Sequence, residues 1–258
     1  MMLKSTQRKI SSEYVGLYQS CKIINLSGKS SSAILDFILA HSNSNLNSYW
    51  LGRIDYSKAW ELQKVIQENV INKKLNDVIL FLEHDSVYTL GKNADLNNLL
   101  PVRPKGIDVI QTDRGGEITY HGPGQLIGYP IIDLKKYRRS ITWFMRSLEH
   151  SIIEMLREIN ISSTRKEGLT GVWVDDHKIA ALGVRLSRWV SMHGFAINIH
   201  TDLSLYRGMI PCGISNFGLT SISKIKGKDY SLLYIADLMI DNIQKMLDLE
   251  IGSKLEYV

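Results

Sequence analysis

Gly171-Val172-Trp173-Val174-Asp175-Asp176-His177-Lys178-Ile179-Ala180-Ala181-Leu182-Gly183 sets two apolar runs on either side of a short polar turn. Val, Ile and Trp suit a pleated, half-buried surface, and such runs around a polar break are the pattern of a β-hairpin. Further along, His193 to Ile199 reads as another strand, and Leu233, Ala236, Leu238, Met239, Ile243 and Met246 predict a helix over 230–248. In the other direction, Met145, Leu148, Ile152, Leu156 and Ile159 predict a helix over 141–159. Ala59, Trp60, Leu62, Val65, Ile66 and Val70 predict one over 57–73. Val78-Ile79-Leu80-Phe81-Leu82 is a short apolar run of buried-strand type, and residues 84–113 alternate brief strands with loops, Pro101 and Pro104 breaking any helix. Strands interspersed with three helices imply an α/β (α+β) domain.

The chain has 258 residues, 44% hydrophobic and 22% charged, which is a soluble, enzyme-sized composition with core enough to need no staple. Its two cysteines, Cys21 and Cys212, exclude a disulfide framework and any Cys-rich zinc or iron–sulfur site. A net charge of +5 suits an acidic protein partner or a phosphate-bearing substrate, and no nucleic-acid motif accompanies it. Lys135, Lys136, Arg138 and Arg139, and separately Lys224, Lys226 and Lys228, read as solvated basic faces. No apolar run reaches eighteen residues, so no membrane helix is expected. Residues 1–48, rich in Ser and Asn with more Lys and Arg than acid, read as an irregular N-terminal leader. A transit peptide for organellar import has that composition too. The expected arrangement is this leader on a cytoplasmic protein, with residues 49–258 as a single catalytic domain.

Chemistry concentrates in three segments. The first is Asp113-Arg114-Gly115-Gly116-Glu117-Ile118-Thr119-Tyr120-His121-Gly122-Pro123-Gly124-Gln125. Glycines at this density let backbone amides approach a ligand, and Arg114, Tyr120 and His121 add charge and aromatic surface. Neither a Walker loop nor a dinucleotide fingerprint fits: Ile23 stands where the first needs Gly, and Ile127 where the second does. The second segment is the hairpin with Lys178 just after its turn. The third is Ile210-Pro211-Cys212-Gly213-Ile214. Cys212 alone reads either as a small buried residue or as a nucleophile. A thiol of pKa near ~8.5 is mostly protonated at neutral pH, and an ammonium beside it favours the thiolate. The seven histidines include no pair at zincin spacing, and no metal ligand set is expected.

Taken in order, four blocks resemble the octanoyltransferases of lipoate biosynthesis. They are Arg114-Gly115-Gly116-x-x-Thr119-Tyr120-His121-Gly122-Pro123-Gly124-Gln125, Lys178-Ile179-Ala180-Ala181-Leu182-Gly183, His193-Gly194-Phe195-Ala196-x-Asn198 and Pro211-Cys212-Gly213. The resemblance spans about residues 49–250 and implies a mixed β-sheet packed with helices, the fold of biotin and lipoate protein ligases. It further implies transfer of an octanoyl group from octanoyl-acyl carrier protein to a lysine of lipoyl domains, in 2-oxoacid dehydrogenase complexes and the glycine cleavage H protein. By the same resemblance Cys212 forms the acyl-thioester and Lys178 lowers its pKa. Substrate contacts fall on Arg114 to His121, Ala181 to Gly183 and His193 to Phe195, with no cofactor. Ala181 departs from relatives that carry Ser there, which leaves only backbone contacts at that position. An acidic carrier protein would give the basic clusters a steering role. The competing readings are an ATP-dependent lipoate- or biotin-protein ligase, a non-catalytic lipoyl-domain-binding protein, and a Cys–His hydrolase with His121 or His193 as base. Presence of both Cys212 and Lys178, and lack of an Arg- and Gly-rich adenylate loop, favour the transferase.

Overall fold

The computed structural model describes residues 23–42, 44–210 and 218–255, with side chains described to Glu250. In chain order the elements are β1 (Ile23–Asn25), α1 (Ser31–His41), β2 (Leu46–Arg53), α2 (Tyr56–Ile71), β3 (Asp77–Glu83), β4 (Val87–Leu90), β5 (Asp108–Gln111), β6 (Ile118–His121), β7 (Gln125–Ile131) and α3 (Ile141–Glu158). There follow β8 (Thr164–Lys166), β9 (Leu169–Val174), β10 (His177–Ser187), β11 (Val190–Asn198), β12 (Gly218–Leu219), α4 (Ile222–Lys226) and α5 (Leu232–Leu255).

One nine-stranded mixed sheet runs β1-β2-β3-β7-β11-β10-β9-β8, with β12 added parallel to β10. A small second sheet, β5-β4-β6, stands beside it. Strand β3 shows why the large sheet sits at the centre. Val78, Leu80 and Leu82 face a core under α1 and α2, while Ile79 and Phe81 face the core under α3 and α5. Successive side chains alternate between faces, so a strand covered on both sides must be apolar throughout.

The expected helices form, two of them on side-chain caps. Asp55 accepts from Lys58 N at the start of α2 and Ser140 from Trp143 N at the start of α3. The hairpin forms as β9 and β10, Asp175 taking positive φ in its turn. The leader is where sequence and structure part. Within it, β1 pairs in parallel with β2 and α1 packs Ile34 and Ile38 into the second core, so the regular structure includes residues N-terminal to Tyr49. Helix α1 is hard to read because Leu39 is apolar yet 43% exposed, which blurs its helical period. Residues 1–22, including Cys21, lie outside the described residues.

Candidate active site

The β9–β10 hairpin zips from its turn and then splits. Val174 pairs with His177, Trp173 with Lys178 and Val172 with Ala180, the register shifting between Lys178 and Ala180. Gly171 comes next, at φ +132°, and from there β9 leaves β10. A Cβ on Gly171 would stand 2.8 Å from the Ala180 carbonyl oxygen and 3.1 Å from Lys178 Cε. Only glycine fits at such a φ with the Lys178 stem against it. The divergence is held by Glu149, 1% exposed on α3, which accepts from Gly171 N at 2.9 Å. Arg146 at 2.7 Å and Arg165 at 3.1 Å balance the charge of its other oxygen.

Beyond the split lies a cavity of about 520 Å³. Ala180 to Val184 form one wall, Leu169 and Thr170 of β9 face them, and Ile141 and Met145 at the start of α3 add apolar cover. The glycine loop closes the far end, where Gly115 N donates to the Val184 carbonyl at 3.1 Å. Val184 stands six residues beyond Lys178 along β10, a length of about 20 Å. An octanoyl chain is about half that long at ~1.3 Å per methylene, so it fits with room for a polar attachment.

At one end stands Lys178, 8% exposed, its ammonium 4.8 Å from the Trp173 ring centroid. At the other, His193 Nε2 and Asp113 Oδ1 are 2.7 Å apart, and Arg185 also pairs with Asp113. Burial raises the Asp113 carboxyl, but the hydrogen bond and charge of His193 and the charge of Arg185 outweigh it and hold it below its ordinary value. His193 takes a left-handed φ of +60° inside β11, its N–H donating to Gln63 Oε1 at 2.9 Å. Strain of that kind is held by its surroundings and clusters at functional sites. His193 pairs in register with Val184, so it stands far from Lys178. Between the ends, Tyr56 stacks on His121 at 6.0 Å, and His84 bonds the Tyr129 hydroxyl at 2.7 Å.

Burial pushes His84 down to about 4; burial, with His84 beside it, pushes His121 down to about 3. Both are neutral at pH 7, and the stability they confer has a definite sign. Unfolded, each titrates near 6.5, so below that the unfolded chain holds protons the native state does not. Stability should be full above pH ~6.5 and fall towards pH ~4 by up to about 1.4 kcal/mol per pH unit for each histidine. Urea unfolding at pH 7 and pH 5 checks this, and an unchanged midpoint would contradict it.

The cavity gathers nearly all the residues singled out in the sequence. Arg114, Gly115, Gly116, Glu117, Ile118, Thr119 and His121 line it, as do Lys178, the stretch Ala181 to Gly183, and the stretch His193 to Phe195. Tyr120 does not: it faces the core of the small sheet, where its hydroxyl bonds Ser86 at 2.9 Å and its ring meets Tyr88 and Tyr206. Alternation along β6 turns it away from its neighbours Thr119 and His121. Cys212 lies outside the described residues. Met209, before that segment, and Leu219, after it, both line the cavity, and Leu219 is in register with Lys178. Asp113, Gln125 and Asn198 belong to this region without having been assigned contacts. Each lies inside or beside a quoted block, so the blocks were the available signal.

The mixed sheet packed with helices around this cavity is the fold of the lipoate and biotin protein ligases. Among solved structures the chain is similar to the bipartite lipoate protein ligase of Thermoplasma acidophilum, with a TM-score of 0.59 at 17% identity, covering 81% of this chain and 85% of that one. It is also similar to the biotin protein ligase of Aquifex aeolicus, with a TM-score of 0.51 at 19% identity over 78% and 70%. These likenesses are of fold. The model of the lipoyl protein ligase A/B catalytic domain matches residues 55–244. In sequence the chain is 47% identical to the octanoyltransferase of Gloeobacter violaceus over 165 residues, 64% of this chain and 74% of the relative. It is 43% identical to that of Solibacter usitatus over 204 residues, 78% and 92%. The chain belongs to the lipoyl protein ligase A/B family, in its octanoyltransferase group, and is an acyltransferase. No helix among the described residues is long and apolar enough to cross a membrane.

Proposed function

We propose that the chain moves an octanoyl group from octanoyl-acyl carrier protein, through a thioester on Cys212, to a specific lysine of lipoyl domains. The observation that carries this reading is the slot opened at Gly171, with Lys178 at its head and apolar walls from β9, β10 and α3. Exchange of one thioester for another is nearly isoenergetic, and amide formation from a thioester is downhill, so neither half needs a nucleotide. Lys178 first favours the thiolate and later, as a neutral amine, takes a proton from the incoming lysine. The substrate contacts are the cavity residues of the glycine loop, β10 and β11. The acceptors are lipoyl domains of 2-oxoacid dehydrogenase complexes and the glycine cleavage H protein, met in the cytoplasm, and residues 49–258 form the single catalytic domain, with β1 and α1 packed against it.

The basic loop supports an acidic donor protein. Lys135, Lys136, Arg138 and Arg139 are exposed just before α3, whose first residues line the cavity. An exposed basic loop leading into that helix would steer an acidic partner, with Lys135 and Lys136 also paired to Asp133 and Asp77.

The donor separates transferase from ligase. With octanoyl-carrier protein and a lipoyl domain the chain should form the octanoylated domain without ATP. With free octanoate and ATP it should form none, and octanoylation there would make it a ligase.

A further inference from the structure

His121 closes β6 and Gln125 opens β7, and both are buried. Their hydrogen bonds have a direction fixed from one end. Thr220 offers a main-chain carbonyl, which only accepts, so Asn198 meets it at 3.1 Å with its amide nitrogen and keeps Oδ1 as an acceptor. Gln125 Nε2 donates to that oxygen at 2.9 Å and to the Tyr206 hydroxyl at 2.7 Å. Gln125 Oε1 is thereby turned to His121 Nδ1, 2.8 Å away. An amide oxygen cannot donate, so the proton of the neutral imidazole stands on Nδ1. Nε2 carries a lone pair and has no hydrogen-bond partner among the described residues. The relay is also tied to Lys178, because Thr220 N donates to its carbonyl at 3.1 Å. His121, Asn198 and Lys178 line the same cavity.

We infer that His121 Nε2 accepts a hydrogen bond from the amine of the acceptor lysine, and that Gln125 and Asn198 are positioning residues that hold the imidazole in this tautomer. The inference rests on the thioester route proposed above. In its second half, the amine nitrogen bonds to the thioester carbonyl carbon, the C–S bond breaks, and Cys212 leaves as thiolate. The proton shed by the nitrogen passes, by way of the Lys178 amine, to that sulfur, so the step balances with no further reactant. An acceptor at Nε2 holds one amine N–H and turns the nitrogen lone pair to the carbonyl. It cannot serve the oxyanion, which needs donors. The loading half has no attacking N–H and so depends on it less.

The titratable and charged groups around the imidazole are His84 after β3, Arg114 on the glycine loop, His193 on β11, and the hydroxyls of Tyr56 and Tyr206. Gln125→Glu adds a carboxylate there and strengthens the hold of His121 on a second proton. Once protonated, both ring nitrogens donate and neither can accept the amine. Amide formation, followed by intact mass after octanoyl-enzyme meets a lipoyl domain, should then slow roughly tenfold or more at low pH and recover as pH rises. That loss should come on top of the slowing both proteins share as the lysine amines protonate, so the ratio of variant to wild-type rate should fall at low pH. His121→Phe, which keeps a ring against Tyr56, should slow amide formation at least roughly tenfold more than loading at every pH. Nitrogen NMR of the wild type should show a protonated Nδ1 and a bare Nε2. Equal slowing of both halves in His121→Phe, a Gln125→Glu profile parallel to the wild type, or a bare Nδ1 would each overturn the inference. Failure of the wild type to form octanoyl-enzyme at all would overturn the thioester route beneath it instead.

Discussion

Replacing Lys178 by methionine should cut octanoyl transfer by roughly 10²-fold or more and return the Cys212 thiol to titration near ~8.5. Methionine keeps a stem to pack against Gly171 and Trp173, so charge is what the change removes. The magnitude follows from two separate losses. A thiol near ~8.5 is only a few per cent thiolate at pH 7, whereas one lowered by one to two units is roughly half ionised. Loading therefore slows by about tenfold through thiolate population alone. The amine that takes the proton in the second half is lost as well, and a positioned base contributes typically ~10²–10⁴-fold. The pH dependence of thiol alkylation reports the first loss and single-turnover transfer the second. A variant with normal transfer and an unshifted titration would remove Lys178 from the mechanism.

Gly171→Ala is the second change of large effect, because that residue both opens the slot and seats Lys178. The added methyl would stand 2.8 Å from the Ala180 carbonyl oxygen, at a φ of +132° that L side chains rarely adopt. Strain of this kind costs about 1–3 kcal/mol, a fall in Tm of several degrees for a chain of this length. Transfer should fall by more than the unfolded fraction explains, since relief of the clash moves either the β10 backbone or the Lys178 stem. Thermal unfolding and single-turnover transfer measured on the same preparation separate the two. A variant with unchanged Tm and unchanged transfer would show that the split does not depend on this glycine. Glu149 belongs to the same arrangement, since its carboxylate holds Gly171 N from the other side.

Strand β3 and helices α2 and α3 were legible because single strong periods govern them, continuous for a strand covered on both faces and 3.6 for a helix with one buried stripe. Helix α1 escaped because it is apolar around much of its circumference while burying only Ile34 and Ile38. Strand β1, three residues long, carries no period at all and is defined by its partner β2. The site divides along similar lines. Its blocks could be quoted from the sequence, and the resemblance supplied their order and roles. Which members meet was beyond sequence reading, since Asp113 and His193 lie 80 residues apart and Gln125 and Asn198 lie 73 apart. Tyr120 shows the reverse failing, for membership of a block said nothing about which face of β6 its ring would take. Gly171 looked like the edge of a hairpin. Its function as the point where two strands separate exists only once β10 is paired on its other side with β11.

The thioester on Cys212 is the central claim, and intact-mass analysis tests it most directly. The full chain is mixed with octanoyl-carrier protein, without ATP and without acceptor, and the mass is read before and after digestion. The account predicts one octanoyl group, mapped to Cys212, absent from Cys212→Ser and discharged when a lipoyl domain is added. An enzyme that octanoylates the domain while never carrying the group, or that carries it on another residue, would contradict it.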